Sequence, residues 1–298
     1  MKITHEIIQK NTNISTSVIF FSYLDLDFEI LKKVFFHKVI SRNLMQDYPQ
    51  FYDFMKLLLP EENVVTHSIN DSFHGYLNQR SIGVVGPGNA SSFQGDTIDE
   101  LDIIVRLNHS KNTKHNFNSH GSKTSISYYN HGAIIKRLSD VRKSISYIDW
   151  ACFKDKQDKV HSTGSKHSPE SRVYYLADDV FYKTSAMGVQ NIVYDLLKNK
   201  ANKISLFCFD FYCSKNPYQT DYPSKETREY FDNNNFLKSA SQSLRFHDPF
   251  TNFCFIKLLT VANKVIASSS VDEVVSLSRE DYALKLHDLY GEYDLSSR

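Results

Sequence analysis

The sequence has no excess of charge of either sign and little glycine, proline or cysteine. Lys and Arg number 35 against 34 Asp and Glu, so the net charge is +1 among 298 residues. This balance argues against a nucleic-acid-binding protein that works through bulk positive charge. Hydrophobic residues make up 41% of the chain, enough for a large core in one domain or in a domain with an appendage.

The cysteines form no pattern of a disulfide framework or a metal site. Cys152, Cys208, Cys213 and Cys254 include no Cys-x-x-Cys pair, and no histidine is spaced with them as in a zinc site. We therefore predict reduced, mostly buried thiols, with no metal and no cofactor. The sequence has neither an apolar signal segment nor an apolar run of spanning length, which predicts a cytoplasmic protein. Peripheral contact with the inner membrane, through a partner or an assembly complex, is compatible with this prediction.

From residue 81 onward, short apolar runs alternate with helical patterns. The runs predict strands in six segments: SIGVVG, LDIIVRLN, TSISYYN, SYIDWACF, SRVYYLA and KISLFCFDF. Helices are predicted over 187–200 and 249–267. The alternation predicts an α/β domain over 81–298, with a Rossmann-like, mostly parallel sheet flanked by helices.

The two ends of the chain carry weaker signals. Residues 1–80 are predicted to form a helical or mixed region, with an early strand at TSVIFFSYLDLDF. Residues 263–298 are predicted to form one or two helices of mixed charge that cover the domain and contribute no site residue.

The first glycine-rich stretch predicts a strand that turns into a helix over a phosphate group. Gly86 and Gly88 match only the first two glycines of the dinucleotide-binding pattern, and no acidic residue follows to hold a ribose. A Walker A lysine is also absent. These absences disfavour an NAD-dependent dehydrogenase, leaving a turn without ligand or a nucleotide site of another kind. In the second case, Asn89 and Ser91 join the two glycines as donor-binding candidates.

Polar residues follow the next two predicted strands. Arg106 and Asn108 end the second strand, and Asn130 ends the third. Ligands of parallel α/β sheets bind at the carboxyl ends of the strands, and an amide both donates and accepts hydrogen bonds. We therefore predict that these three residues bind a nucleotide or sugar.

Further candidates lie beside the later elements. Thr184 and Ser185 begin a predicted helix, whose positive end favours an anion. Asp210 ends the last predicted strand. Asp248 and Pro249 suit the cap and first position of the next helix, which leaves His247 as the chemical group there. His120 and His131 are weaker candidates for the acceptor side.

Taken in order, these segments resemble the motifs of sialyltransferases. The glycine turn through IIVRLNHS resembles the large sialyl motif, and HGSKTSISYYN resembles its Gly-Ser-Lys-Thr continuation. TSAMGVQNIVYDLLKNKANKISLFCFDFY resembles the small motif of the animal enzymes and the Thr-Ser-Gly and Asp-Phe-Tyr segments of a bacterial family with a lid. HDPF resembles the segment that carries the general base.

The sequence departs from these families at several points. Thr-Ser is followed by Ala-Met-Gly, no cysteine pair corresponds to the animal disulfide, and the turn reads Gly-Pro-Gly-Asn. Tyr212 and Tyr218, however, are six positions apart, as are the lid tyrosines of the bacterial family. The resemblance covers residues 81–260 and implies a GT-A-like variant that binds a single nucleotide, with a lid over 211–246.

The resemblance also implies a reaction. The donor would be a CMP-activated sugar, usually CMP-sialic acid, and the acceptor a glycan hydroxyl, with metal-independent, inverting transfer. Tyr212 and Tyr218 would donate hydrogen bonds to the phosphate, and His247 would act as general base. Ser185 would hold an anionic group of the donor, and the asparagines the phosphate, ribose and sugar.

Alternative functions stay open at the level of sequence. A bacterial CMP-Kdo transferase of lipopolysaccharide or capsule synthesis needs the same nucleotide pocket. A retaining enzyme would need a carboxylate nucleophile, for which Asp210 is the candidate. An inactive nucleotide- or glycan-binding module would need neither His247 nor both tyrosines, and the presence of all three favours an enzyme.

Overall fold

The computed structural model describes residues 71–88, 93–110, 116–155, 169–177, 186–214 and 249–290. Within these ranges the elements, in chain order, are α1 (Asp71–Leu77), β1 (Ser81–Val85), α2 (Gly95–Asp99), β2 (Ile103–Leu107), α3 (Phe117–His120), β3 (Ile126–Tyr129), α4 (His131–Ile145), β4 (Trp150–Phe153), β5 (Glu170–Val173), α5 (Gly188–Lys198), β6 (Lys203–Phe207), α6 (Pro249–Val261), β7 (Val265–Ala267), α7 (Ser269–Val275) and α8 (Arg279–Tyr290). The early strand predicted near the N-terminus lies outside the described residues.

The described strands form one parallel sheet in the order β5-β4-β3-β2-β1-β6-β7. The predicted α/β fold with a parallel sheet is confirmed, and each of the six predicted strand segments overlaps a strand. Successive side chains alternate between two buried faces. One face packs against α1, α5, α6, α7 and α8, and the other against α2 and α4. Burial on both faces explains why the strands read as continuous apolar runs.

Strand β7 corrects the prediction of one helix over 249–267. Helix α6 begins at Pro249 as predicted but ends at Val261. Asn263 takes a left-handed conformation (φ 54°), and the Lys264 amide donates to Leu259 O at 2.9 Å. This is a Schellman-type stop with asparagine at the left-handed position. The β-branched residues that follow then pair with β6 at the sheet edge.

A buried polar cluster joins α5 to the strands on one side of the sheet. The Asp195 carboxylate accepts hydrogen bonds from Arg172 at 2.5 Å, Tyr128 Oη at 2.6 Å and the Tyr175 amide at 2.7 Å. Asp195 is fully buried and Arg172 is 5% exposed. Burial lowers the pKa of Arg172, but the adjacent carboxylate outweighs this effect and raises it. The charges therefore compensate each other inside the core.

Other sequence predictions are settled in part. All four cysteines lie in the described ranges as free thiols, and three of them are buried, as predicted, while the absence of a metal and a cofactor stays a prediction. Among the described helices, none is long and apolar enough to cross a bilayer. Helix α1 contributes Phe73 and Leu77 to the core, so the packed structure already includes residues before 81. The boundary between residues 80 and 81 stays a prediction.

The strand order places a topological switch between β1 and β6. From β1 the chain runs outward through β2, β3, β4 and β5, then returns to β6 on the other side of β1. Ligands of such sheets bind at the carboxyl edge, at a switch point of this kind. Gly86 follows β1, and Cys208 follows β6.

Candidate functional site

The glycine turn packs directly against the end of β6. The Gly86 amide donates to Phe207 O at 2.8 Å, and the Gly88 amide donates to Cys208 O at 2.9 Å. A Cβ atom added at Gly86 would lie 2.4 Å from Cys208 O and 2.5 Å from the Phe209 ring. The first glycine is thus required for this close backbone approach, and both glycines lie at the switch point.

His120 holds the second glycine of this turn from a distant part of the chain. Its Nε2 lies 2.8 Å from Gly88 O, and its Nδ1 lies 2.7 Å from Ser119 Oγ. Because a carbonyl oxygen only accepts, Nε2 carries the hydrogen of the bond to Gly88 O. Burial lowers the pKa of His120. Sequence reasoning missed this role because the two partners are 32 positions apart.

Arg106 organises the HGSKT segment, which begins at His120. Its Nη2 donates to His120 O at 2.6 Å, and its Nε donates to Lys123 O at 3.1 Å and Thr124 Oγ1 at 3.0 Å. The side chain is 3% exposed, and burial lowers the pKa of Arg106 to about 10. The structure therefore gives Arg106 a supporting role in the HGSKT segment. Its predicted contact with the donor stays a prediction.

The two candidate asparagines lie together at the carboxyl ends of β2 and β3. Asn108 has a left-handed backbone (φ 51°), and its Oδ1 accepts from the Asn130 amide at 3.0 Å. Asn130 Oδ1 accepts from the Ala133 amide at 2.8 Å and so caps α4. His131, the first residue of that helix, is exposed. The two asparagines therefore lie side by side, and their contact with a ligand stays a prediction.

The turn after β6 contains non-glycine residues in left-handed conformations. Cys208, Phe211 and Tyr212 have φ angles of 58°, 48° and 64°. Left-handed backbone conformations are uncommon for residues other than glycine, and they are concentrated at functional sites. Asp210 folds this turn, because its Oδ1 accepts from the Tyr212 amide at 3.0 Å and its Oδ2 accepts from the Ser214 hydroxyl. Burial raises the pKa of the Asp210 carboxyl group, and these hydrogen bonds offset only part of that increase.

Six predicted site residues lie outside the described residues: Asn89, Ser91, Thr184, Ser185, Tyr218 and His247. Of the predicted lid over 211–246, the structure describes only 211–214. The chain that follows Ser185 and the chain that follows His247 are nevertheless joined. The fully buried Asn252 accepts from the Met187 amide at 2.8 Å, and its carbonyl accepts from Gln190 Nε2 at 3.1 Å. Asn252 was not predicted as a site residue.

Among the described residues, no cluster of His, Cys, Asp or Glu is arranged to hold a metal ion. The described part of the candidate site contains the glycine turn, whose Gly86 and Gly88 amides donate to the end of β6, and the Asp210–Tyr212 turn. The side-chain amides of Asn108 and Asn130 add neutral hydrogen-bonding groups at the carboxyl edge of the sheet. They suit the phosphate and sugar parts of a nucleotide, which is the ligand class that the sequence predicts.

Comparison with known proteins finds similarity only at the level of structure. No family model matches the chain, and no curated protein matches it. The chain is similar to a mammalian sialyltransferase solved in complex with Gal-beta-1-3GalNAc-ortho-nitrophenol, with 14% identity, a TM-score of 0.40, and coverage of 73% of this chain and 79% of that chain. Another mammalian sialyltransferase structure has 14% identity, a TM-score of 0.38, and coverage of 73% and 84%.

Proposed function

We propose that this protein is a glycosyltransferase that moves a sialic acid from CMP-sialic acid to a hydroxyl group of a glycan acceptor. The supporting observation is that three separate segments lie along the carboxyl edge of one sheet. The glycine turn hydrogen-bonds to the end of β6, the Asp210–Tyr212 turn follows directly, and the Asn108–Asn130 pair ends β2 and β3. These are the segments whose order in the sequence resembles sialyltransferases.

In the proposed complex the CMP group lies along this carboxyl edge. The glycine turn, with Asn89 and Ser91, faces the phosphate, and the asparagine pair holds the ribose and the sugar. Ser185, three positions before the first residue of α5 rather than at the helix start that the sequence predicts, binds the carboxylate of the donor. Arg106 and His120 keep the glycine turn in place through Gly88. Neutral donors suit a phosphate whose charge grows during the reaction, because they are already oriented before the charge develops.

The proposed reaction exchanges one bond at the anomeric carbon. The acceptor hydroxyl oxygen bonds to this carbon while the bond to the phosphate oxygen breaks, and its electron pair leaves with CMP. His247 takes the hydroxyl proton, and Tyr212 and Tyr218 donate hydrogen bonds to the departing phosphate. Attack from the face opposite CMP inverts the anomeric centre. Both Asp210 oxygens accept hydrogen bonds within their own turn, which supports inversion over a retaining mechanism with Asp210 as nucleophile.

Calorimetric titration with CMP, CDP and NAD, without added metal, tests the nucleotide site. We expect CMP to bind and NAD to give no heat. Turnover of CMP-sialic acid and CMP-Kdo with a panel of glycans then identifies the donor. Turnover of CMP-Kdo alone would replace the proposed donor but keep the enzyme class. Failure of CMP to bind would overturn the proposal.

Replacing His247 with Ala tests the general base. We expect kcat to fall by about 10²- to 10⁴-fold at neutral pH, because the acceptor hydroxyl loses its proton acceptor. CMP affinity should remain unchanged in the same titration. His287→Ala is the control, since His287 is an exposed residue of α8. Activity close to wild type in His247→Ala would exclude this residue as the base.

A further inference from the structure

We propose that Tyr282 and Tyr290 are positioning residues that hold the turn after β6 in the conformation required for transfer. This inference rests on the proposed function, in which Tyr212 donates to the leaving phosphate. Both tyrosines belong to α8, a region that the sequence analysis predicted to be only a covering. The structure instead links this helix to the candidate site.

Two hydroxyl groups of one helix bind consecutive carbonyl groups of the turn. Tyr282 Oη donates to Phe211 O at 2.9 Å, and Tyr290 Oη donates to Tyr212 O at 3.1 Å. Tyr282 Oη also lies 3.3 Å from Pro249 O, at the first residue of α6. Both tyrosines are almost fully buried, at 0% and 4% exposure. Helix α8 therefore joins the Phe211–Tyr212 turn to the start of α6.

The two carbonyls belong to the aromatic residues with left-handed backbones. Phe211 and Tyr212 have φ angles of 48° and 64°, a conformation that is a genuine outlier for bulky side chains. Such conformations persist when surrounding contacts hold them. The Tyr282 ring stacks on Phe253 of α6 with centroids 4.0 Å apart and planes 6° apart, so the core sets the position of its hydroxyl.

The direction of the Tyr212 side chain depends on this backbone conformation. If the turn relaxed to a right-handed conformation, the phenol would point elsewhere, and the proposed hydrogen bond to the phosphate would weaken. The phosphate gains charge as CMP leaves, so this bond is stronger in the transition state than in the bound substrate. Loss of positioning should therefore affect kcat more than the KM for the donor.

The test uses the full chain with Tyr282→Phe and Tyr290→Phe, which remove the hydroxyls but keep the rings. We expect kcat to fall by about tenfold in each variant, equivalent to one lost hydrogen bond of ordinary net strength. The KM for the CMP-sugar donor should change by less than about twofold, because the contacts that the donor makes equally in the bound substrate and in the transition state are unaffected. Tyr76→Phe is the matched control, because its hydroxyl donates to Asp149 Oδ2 at 2.6 Å, at the opposite edge of the sheet.

A double-mutant cycle separates positioning from a general effect on stability. If Tyr290 acts through Tyr212, then Tyr290→Phe should have little further effect on kcat in a Tyr212→Phe background. If the wild type is active and kcat is unchanged in both single variants, this inference is overturned, even if the unfolding midpoints of the variants fall. The proposed function would then still stand. A full additional loss in the Tyr212→Phe background would overturn it as well. A wild type inactive with CMP donors would overturn the proposed function and this inference together.

Discussion

At the scale of single residues, the site depends on backbone approaches that few side chains permit. Gly86 is the sharpest case, because the backbone of Cys208 and the ring of Phe209 occupy the space where a Cβ atom would lie. The Gly86 and Gly88 amides both donate to the residues that end β6. Moving the turn at this point would therefore disturb the glycine loop and the Asp210–Tyr212 turn at once.

Gly86→Ala should destabilise the protein and weaken CMP binding. We expect the free energy of unfolding to fall by about 1–3 kcal/mol, because the added methyl group overpacks against backbone that cannot yield easily. Urea unfolding and calorimetric titration measure the two effects. Gly75→Ala is the control, since nothing lies within 4 Å of its added Cβ and alanine favours the helix. Equal stability of Gly86→Ala and wild type would contradict this account.

At the scale of elements, α5 is attached to the sheet by charge as well as by apolar packing. The Asp195 carboxylate of α5 accepts hydrogen bonds from Arg172 and Tyr128. Arg172 belongs to β5 and Tyr128 to β3, which are two separate strands of the sheet. The Arg172 guanidinium also lies over the Phe73 ring at 4.5 Å. This cluster fixes the helix whose first residues follow the Thr184–Ser185 segment.

Asp195→Ala should strongly reduce stability, because it leaves the buried Arg172 charge without its partner. Breaking a buried ion pair in this way costs about 3–5 kcal/mol, which urea unfolding can measure. Glu280→Ala is the control, since Glu280 is 74% exposed and lies 3.9 Å from Arg279. We expect that change to be within about 0.5 kcal/mol. A loss for Asp195→Ala as small as that of the control would refute the structural role.

At the scale of the whole molecule, histidines near the site link stability to pH. Burial, and then the charge of Arg106, lower the pKa of His109 to about 4. The unfolded chain has an ordinary histidine pKa of about 6.5 and therefore binds more protons between these values. This contribution to stability is fully present above the unfolded pKa. It is lost as the pH falls from about 6.5 to about 4.

His109→Gln should therefore flatten the dependence of stability on pH. We expect the decrease in urea midpoint between pH 7 and pH 5 to be smaller in the variant than in the wild type. The decrease should not vanish, because burial also lowers the pKa of His120. The raised pKa of Asp210 has the opposite effect on stability as the pH falls. His287→Gln, on the exposed face of α8, is the control. An unchanged pH profile in His109→Gln would remove His109 as the source.

Much of this architecture could be predicted from local sequence patterns. Apolar runs marked six of the strands because residues buried on both faces of a parallel sheet leave a continuous signal. The cap at Asn130 and the start of α6 at Pro249 follow from rules that act over a few residues. The short strand β7 was hidden in a helical pattern, because only the stop at Asn263 separates it from α6.

The tertiary structure decided which distant segments meet. No local pattern reveals that β6 lies beside β1, yet this neighbourhood creates the switch point and closes the glycine turn onto Cys208. The bond from His120 to Gly88 and the bonds from Tyr282 and Tyr290 to the turn after β6 join residues 32 to 78 positions apart. Periodicity and capping report only on neighbours along the chain. Contacts across such separations depend on strand order, which the whole core determines.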